Sequence, residues 1–252
     1  ICQMVGGMPL AIELAASWLG VLTCRELAAE IEKGVDFLTS KSRPITERHR
    51  SLRAVFDSSW TLLTPTEQDV LKNCAIFRSS FNREAATVVA GACLPVLSAL
   101  VDKSLLRLNA DGRYDLHQLV RQFANDILSQ DDVGCNATCD RHADYYLRFM
   151  QRFETSLKGS HAPQAIAEIE AEIEDAKHAF LWASSRGYSD LIGPAIIVYA
   201  MFYQYQGGGQ EASAFWEQAV KKWQGPQNMV YATLKAIYGS TIPDGDGRDK
   251  LM

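Results

Sequence analysis

The sequence lacks several features that would assign a protein to a class at once. No apolar run approaches the roughly 20 residues that cross a bilayer, and no segment resembling a secretory signal opens the chain. Six cysteines among 252 residues are too few for a disulfide scaffold. Basic residues are also in deficit, since 25 lysines and arginines face 30 acidic residues. These absences predict a soluble, cytoplasmic protein, and they disfavour a dedicated nucleic-acid binder because phosphate affinity needs many cations acting together.

Signatures of catalysis are missing as well. The glycine-rich stretches "GGMPLAIE" (6–13) and "QGGGQEAS" (206–213) lack the lysine and the hydroxyl residue of a Walker A loop. No serine, histidine and aspartate set has a recognisable nucleophile turn, and the five histidines are scattered. We therefore predict no catalytic residue and no enzyme activity in this chain. Its opening on Ile1 and on helical sequence suggests a fragment of a longer protein.

One short segment has the residue types of a metal site. "CNATC" at 135–139, with His142 three residues later, could offer three ligands. A structural zinc site takes four, usually as two close pairs, and the sequence has no second pair. We therefore predict ordinary helix and loop residues here and no metal site.

Helical periodicity dominates what the sequence does contain. Thr23 and Glu26 have the spacing of a capping box, and Thr64 and Glu67 repeat it around a proline at the first helical position. Further helices are expected at 82–91, from Pro95 onward, and over 163–187, 189–205, 210–223 and 228–238. Such helices, joined by short turns, predict stacked antiparallel pairs of the kind found in helical repeats.

A different pattern interrupts the helices between residues 105 and 117. Two short stretches, Leu105 to Leu108 and Arg113 to His117, flank Asn109 to Gly112, whose Asp-Gly pair favours a tight hairpin. Three helices followed by a hairpin are typical of a winged helix. The predicted fold is therefore mainly α, with one small β-hairpin in a winged-helix domain.

Two junctions could serve a ligand. Gly6 and Gly7 let the backbone turn, Pro9 presets a first helical turn, and unpaired amides there could face an anion. A pattern that only marks the start of a helix explains the same residues. His117 lies where the hairpin runs into the next helix, and its charge can change near neutral pH. A histidine hydrogen-bonded to nearby backbone is the plainer alternative.

Three groups of motifs together resemble the STAND class of signal-transduction NTPases, whose nucleotide module is called NB-ARC. "GGMPLAIELAA" (6–16) is similar to its Gly-Leu-Pro-Leu-Ala motif. The stretch at 48–91 and "LVDKSLLRLNADGRYDLHQLVRQFA" (100–124) resemble the winged-helix region of bacterial members, which ends in a Met-His-Asp motif. "IEAEIEDAKHAFLWASSRG" (169–187) and "YQGGGQEASAFWEQAVKK" (205–222) resemble the tetratricopeptide-like region of bacterial transcription regulators.

The resemblance implies a domain order. Residues 1–40 would be the C-terminal helical part of the NB-ARC module, a short helical lid segment. Residues 41–132 would form the winged-helix domain, residues 133–240 the tetratricopeptide-like helical domain, and residues 241–252 a tail.

The resemblance also implies a cofactor and its contacts. In that family the motif proline packs against the adenine of ADP, which implies Pro9 here, with Gly7 and Leu10 beside it. The motif histidine reaches the β-phosphate, which implies His117, although the motif reads Leu-His-Gln here and lacks its aspartate. Because both Walker motifs are absent, ADP or ATP is expected in the full-length protein, and no tight binding is expected in this fragment.

The leading expectation is therefore a regulatory fragment of a nucleotide-gated signalling switch, belonging to a bacterial transcription regulator. The winged helix would sense ADP, and the helical domain would sense a protein partner or a small-molecule inducer. The full-length protein would self-associate, and the resemblance leaves slow ATPase activity open for it. Direct contact of this chain with nucleic acid or a membrane is not expected.

Two alternatives remain. A DNA-binding winged helix would read bases with "LPVLSALVDKSLL" (94–106), but this segment has one lysine, one aspartate and no Arg, Asn or Gln. A protein-binding helical scaffold would use the aromatic side chains of one C-terminal helix, although aromatics at helical spacing are usually core. The candidate contacts of that scaffold are Tyr199, Phe202, Tyr203 and Tyr205.

Overall fold

A computed structural model describes residues 23–32, 56 and 59–241. The candidate residues Gly7, Pro9 and Leu10 lie outside the described residues. The chain divides into two compact units, Ile1–Cys135 and Asn136–Met252.

The first unit contains five described helices and one two-stranded sheet. Thr23 N donates to Glu26 Oε2 at 2.9 Å, which confirms the capping box before the first helix. In chain order the elements are α1 (Cys24–Glu32), α2 (Pro65–Cys74), α3 (Arg83–Ala90), α4 (Leu94–Asp102), β1 (Arg107–Leu108), β2 (Tyr114–Asp115) and α5 (Gln118–Leu128). The prediction of a mainly α fold with a small antiparallel hairpin is confirmed.

Local side-chain caps begin and end these helices as the sequence predicts. Thr64 N donates to Glu67 Oε2 at 2.7 Å, and Glu67 N donates to Thr64 Oγ1 at 3.3 Å, so the capping box of α2 is complete. Asn82 caps α3, and Gly91 ends it with a φ of +71°. Each cap satisfies backbone groups that have no partner within the helix.

The core of the first unit forms where α2 packs against α3, α4 and α5. Leu71 of α2 and both Leu97 and Leu100 of α4 are fully buried. Phe77 and Phe81 stack in the same core with ring centroids 4.1 Å apart. The hydrophobic side of α4 therefore faces inward.

The hairpin is shorter than predicted at both ends. Leu105 N and Leu106 N donate to Leu100 O at 2.9 and 3.2 Å, so these residues complete the end of α4 and do not pair with β2. Tyr114 gains a partner that the sequence does not reveal. It exchanges two backbone hydrogen bonds of 2.8 Å with Phe81, which lies before α3.

The second unit is entirely helical over the residues described. Its helices are α6 (Asp132–Gln151), α7 (Glu154–Leu157), α8 (Ala162–Arg186), α9 (Ser189–Tyr205), α10 (Gly209–Lys222) and α11 (Met229–Thr241). The division between units falls within α6. Helix α8 packs against α9 and α10, and α11 packs against α9 and α10. The four helices predicted beyond residue 163 are confirmed, with ends that differ by a few residues.

Aromatic side chains fill the core of the second unit. Tyr199 and Phe215 stack at 5.6 Å between centroids. Tyr199, Phe202 and Tyr203 are 0%, 4% and 4% exposed, so the structure corrects their role as candidate surface contacts. Tyr205 is 53% exposed, and its hydroxyl donates to Leu157 O at 2.8 Å. The reason is that α9 is covered on several sides by neighbouring helices.

Helix α8 also buries acidic side chains. Glu172 and Asp175 are 4% and 0% exposed. His142 Nε2 of α6 lies 2.9 Å from Asp175 Oδ1, and Tyr146 OH donates to Glu172 Oε2 at 3.3 Å. Buried carboxylates need such partners because their desolvation is unfavourable.

None of the described helices alone is long and apolar enough to cross a bilayer. Helices α3 and α4 meet the length and composition test only as a pair bent by 104°.

Candidate functional site

His117 lies between β2 and α5, at the junction that the sequence predicts. Its backbone oxygen accepts a hydrogen bond from Arg121 N at 2.9 Å, so His117 closes the first turn of α5. The side chain is half-buried. A rigid strand and the start of a helix therefore fix the backbone on both sides of this histidine.

The surroundings of His117 favour a neutral imidazole. Burial lowers its pKa most, and the positive charges of Arg107 and Arg121 lower it further, while Asp115 raises it. The net effect is a pKa below the ordinary histidine value. Near pH 7 one ring nitrogen therefore carries a proton to donate and the other can accept.

Charged residues of the hairpin and of α5 surround this histidine. Arg107 pairs in register with Asp115 across the hairpin. Arg121 Nη2 donates to Asp115 Oδ1 at 3.0 Å, and Arg121 Nη1 donates to Arg78 O at 3.3 Å. Two arginines thus face one carboxylate beside a neutral His117. Arginine guanidinium groups suit an anionic group such as a phosphate.

One hydrogen-bond donor of Arg121 has no acceptor among the described residues. Its Nε is buried, and no acceptor for it exists among the residues that the structure describes. The side chain as a whole is 23% exposed. A buried donor without an acceptor is unfavourable, so an incoming oxygen at this position would be stabilised.

Arg113, also on the hairpin, has a structural role. Its Nε donates to Ser80 Oγ at 3.0 Å, and its Nη2 donates to Ser80 O. Together with the bridge between Phe81 and Tyr114, these bonds join the hairpin to the segment before α3.

Sequence reasoning proposes His117 as a site residue but does not identify the charged residues around it. Two signals could have found them. A hairpin centred on the Asp-Gly turn brings Arg107 opposite Asp115, and a spacing of four residues places Arg121 one helical turn after His117. Gly7, Pro9 and Leu10 lie in the part of the chain that is not described, so their contact with this site stays a prediction.

Helix α4, the reading helix of the DNA-binding alternative, offers little for phosphates or base edges. Leu97 and Leu100 are buried, and Leu94 is 53% exposed. Lys103 directly follows α4, and its Nζ lies 2.7 and 2.8 Å from the two carboxylate oxygens of Glu67. The cation of this segment is therefore engaged within the unit.

The residues considered as metal ligands have other surroundings. Cys139 is buried, and His142 Nε2 is 2.9 Å from Asp175 Oδ1. Over residues 23–32, 56 and 59–241, no three His, Cys, Asp or Glu side chains are grouped as metal ligands.

The chain is similar in sequence to proteins named as transcriptional regulators. It is 32% identical over 198 residues to a candidate HTH-type transcriptional regulator of Mycobacterium bovis and to its counterparts in two strains of Mycobacterium tuberculosis. The match covers 75% of this chain and 22% of each relative. An uncharacterised Mycobacterium bovis protein is 30% identical over 141 residues, which cover 52% of this chain and 36% of that protein.

Two further comparisons add no argument about function. No protein-family model matches the chain. The crystal structure of a STAND protein with a tetratricopeptide repeat sensor from Pyrococcus horikoshii aligns with 95% of this chain and 44% of that one, at 14% identity and a TM-score of 0.30. A likeness this weak does not establish a shared fold. The chain is thus similar to about a fifth of the length of candidate HTH-type transcriptional regulators.

Proposed function

We propose that this chain is the regulatory part of a nucleotide-gated transcription regulator, in which the His117 site senses the phosphates of bound ADP. The observation that carries the proposal is a half-buried His117 whose pKa is lowered beside Arg107 and Arg121. The similarity to candidate HTH-type transcriptional regulators supports the regulatory context.

The residues at this site fit a phosphate group in charge and in chemistry. A neutral histidine can donate to a phosphate oxygen without needing a proton from solvent. Arg107 and Arg121 supply positive charge, and an arginine fork matches phosphate geometry. Bound ADP would supply the anion that these residues recognise. Pro9, with Gly7 and Leu10, would contact the adenine as the family resemblance implies.

Gating requires two states that differ in their contacts with the nucleotide. Contact between His117 and a phosphate would stabilise the closed state only while ADP is present. The helical unit would bind a protein partner or a small-molecule inducer and shift the equilibrium away from that state. Self-association of the open, full-length protein belongs to the same proposal, while this chain itself performs no catalysis.

The test compares ADP release from the full-length regulator with and without His117. Replacement His117→Ala should speed release about 10- to 100-fold, because a hydrogen bond to a charged group contributes about 1.5–3 kcal/mol. Release is followed by displacement of a fluorescent ADP analogue. The matched control is His161→Ala, which removes an exposed histidine that makes no side-chain cap at the start of α8. Equal release rates in all three proteins would contradict the role of His117.

A DNA-binding winged helix remains the second candidate, because the relatives are named for an HTH element. Salt-sensitive binding of duplex DNA by this chain would favour it. The engaged Lys103 and the hydrophobic inner face of α4 make it the weaker candidate.

A further inference from the structure

We propose that Arg121 exchanges partners at this site, binding Asp115 in the ligand-free protein and a phosphate of the ligand in the bound protein. The ion pair between Arg121 and Asp115 would then be a latch that the ligand opens. This inference rests on the proposed function, since it concerns regulation of the same anion site.

The geometry of Arg121 carries the first step. It lies in the first turn of α5, and its backbone N donates to the O of His117, four residues earlier, at 2.9 Å. Nη2 donates to the Asp115 carboxylate at 3.0 Å, and the Nη1 bond to Arg78 O is longer, at 3.3 Å. Nε is buried without an acceptor among the described residues. If Arg121 leaves Asp115, Nε and Nη2 together could donate to a bidentate acceptor such as a phosphate.

The surroundings of Asp115 keep the energetic cost of separating it from Arg121 low. Its side chain is 35% exposed, so water can solvate the carboxylate when Arg121 leaves. Arg107 lies opposite Asp115 in the hairpin register and keeps a positive charge nearby. When Arg121 moves away, Asp115 would therefore not become a buried charge without a partner, which is the usual obstacle to breaking a buried ion pair.

The exchange would link the ligand to the hairpin. In the ligand-free protein, the Arg121 to Asp115 pair joins α5 to β2. Phosphate binding would remove that connection, while Arg113 and the bridge between Phe81 and Tyr114 still attach the hairpin to the segment before α3. The ligand class is a diphosphate anion, with a nucleoside diphosphate or inorganic pyrophosphate as its sources.

Two substitutions at the latch should have opposite effects on anion affinity. In the 252-residue chain, Arg121→Gln should weaken pyrophosphate binding about tenfold, because it removes a charged donor. Asp115→Asn should tighten binding about threefold or more, because the competing carboxylate is gone. Titration with pyrophosphate and, separately, with ADP is followed by calorimetry and by the ring resonances of His117. Arg121→Lys, which keeps the charge but loses the fork, should fall between the wild type and Arg121→Gln.

A second ion pair provides matched controls. Arg148 Nε donates to Asp144 Oδ1 at 2.8 Å on the exposed surface of α6. Arg148→Gln and Asp144→Asn remove the same charges and should leave pyrophosphate affinity unchanged. Thermal melting of all variants reports their stability alongside affinity.

Several outcomes would overturn the latch. A purely structural ion pair would move both Arg121→Gln and Asp115→Asn in the same direction. Absence of pyrophosphate binding by the wild-type chain, or displacement of pyrophosphate by duplex DNA at equal charge concentration, would also overturn it. If His117→Ala speeds ADP release but both latch variants leave pyrophosphate affinity unchanged, the latch fails and the nucleotide proposal survives. If the latch variants behave as expected but ADP release ignores His117, the anion site stands and its nucleotide role falls.

Discussion

Replacing Gly187 with alanine should destabilise the second unit by more than the same replacement of a helix-ending glycine ordinarily does. Gly187 ends α8 with a φ of +67°, a conformation that disfavours an L side chain. A Cβ added there would lie 2.4 Å from Gly225 Cα and 2.7 Å from Gly225 N. These are backbone atoms of the turn between α10 and α11, which Gln224 N fixes by donating to Ser184 O at 3.0 Å. The turn therefore cannot move aside without breaking a hydrogen bond.

The magnitude follows from two contributions. The left-handed conformation costs an alanine about 1–2 kcal/mol. Forcing extra volume into a packed contact adds about 1–3 kcal/mol. We therefore expect Gly187→Ala to lower the free energy of unfolding of the second unit by about 2–5 kcal/mol.

Gly91 supplies the matched control. It ends α3 with a φ of +71°, and a Cβ there would meet no atom within 4 Å. Gly91→Ala should therefore lose only the conformational contribution, about 1–2 kcal/mol, in the first unit. Native-state amide hydrogen exchange measures the opening free energy of each unit separately. Equal losses in the two variants would refute the close approach of Gly187 to the α10–α11 turn.

Two further predictions concern buried polar groups. The hydrogen bond from Lys103 holds the pKa of Glu67 in the folded protein below its ordinary value. The ionised Glu67 therefore contributes fully to the free energy of unfolding when the pH is above the ordinary pKa, and this contribution is lost as the pH falls through the lowered pKa of the folded protein. Glu67→Gln should lower the stability of the first unit by about 1–2 kcal/mol at pH 7 and flatten its acid dependence, measured by urea unfolding from pH 7 to pH 3; an unchanged acid dependence would contradict this. Tyr203 OH is buried without an acceptor among the described residues, so Tyr203→Phe should leave stability unchanged or raise it by about 1 kcal/mol. Tyr199→Phe should instead lose about 1 kcal/mol, because Tyr199 OH donates to Ala176 O at 2.6 Å, and thermal melting that ranks the two variants the other way would refute the assignment.

Much of the secondary structure could be predicted because its causes are local. The caps at Thr64 and Asn82 act over three residues, and the glycines at 91 and 187 end helices through their own backbone conformation. The Asp-Gly turn likewise forms between neighbouring residues. None of these features depends on what packs against the helix.

The candidate site was predictable only in part. His117 could be assigned to a junction between hairpin and helix because both elements leave local signals. The charges around it could not, since the bond between Arg121 and Asp115 depends on how α5 docks against β2. The part of the proposed site formed by Gly7, Pro9 and Leu10 rests on the family resemblance alone.

The sequence by itself determined the order of the helices and their ends to within a few residues, where the hairpin turns, and that the fold is mainly α. Only the tertiary structure decided which side chains are buried, as for Tyr199 and Tyr203, which the sequence offered as surface contacts. It also decided the bridge from Phe81 to Tyr114 and the contact between Gly187 and Gly225. The physical reason is range. Caps and turns are fixed by neighbours a few residues away, whereas burial and ion pairing depend on residues that only folding brings together.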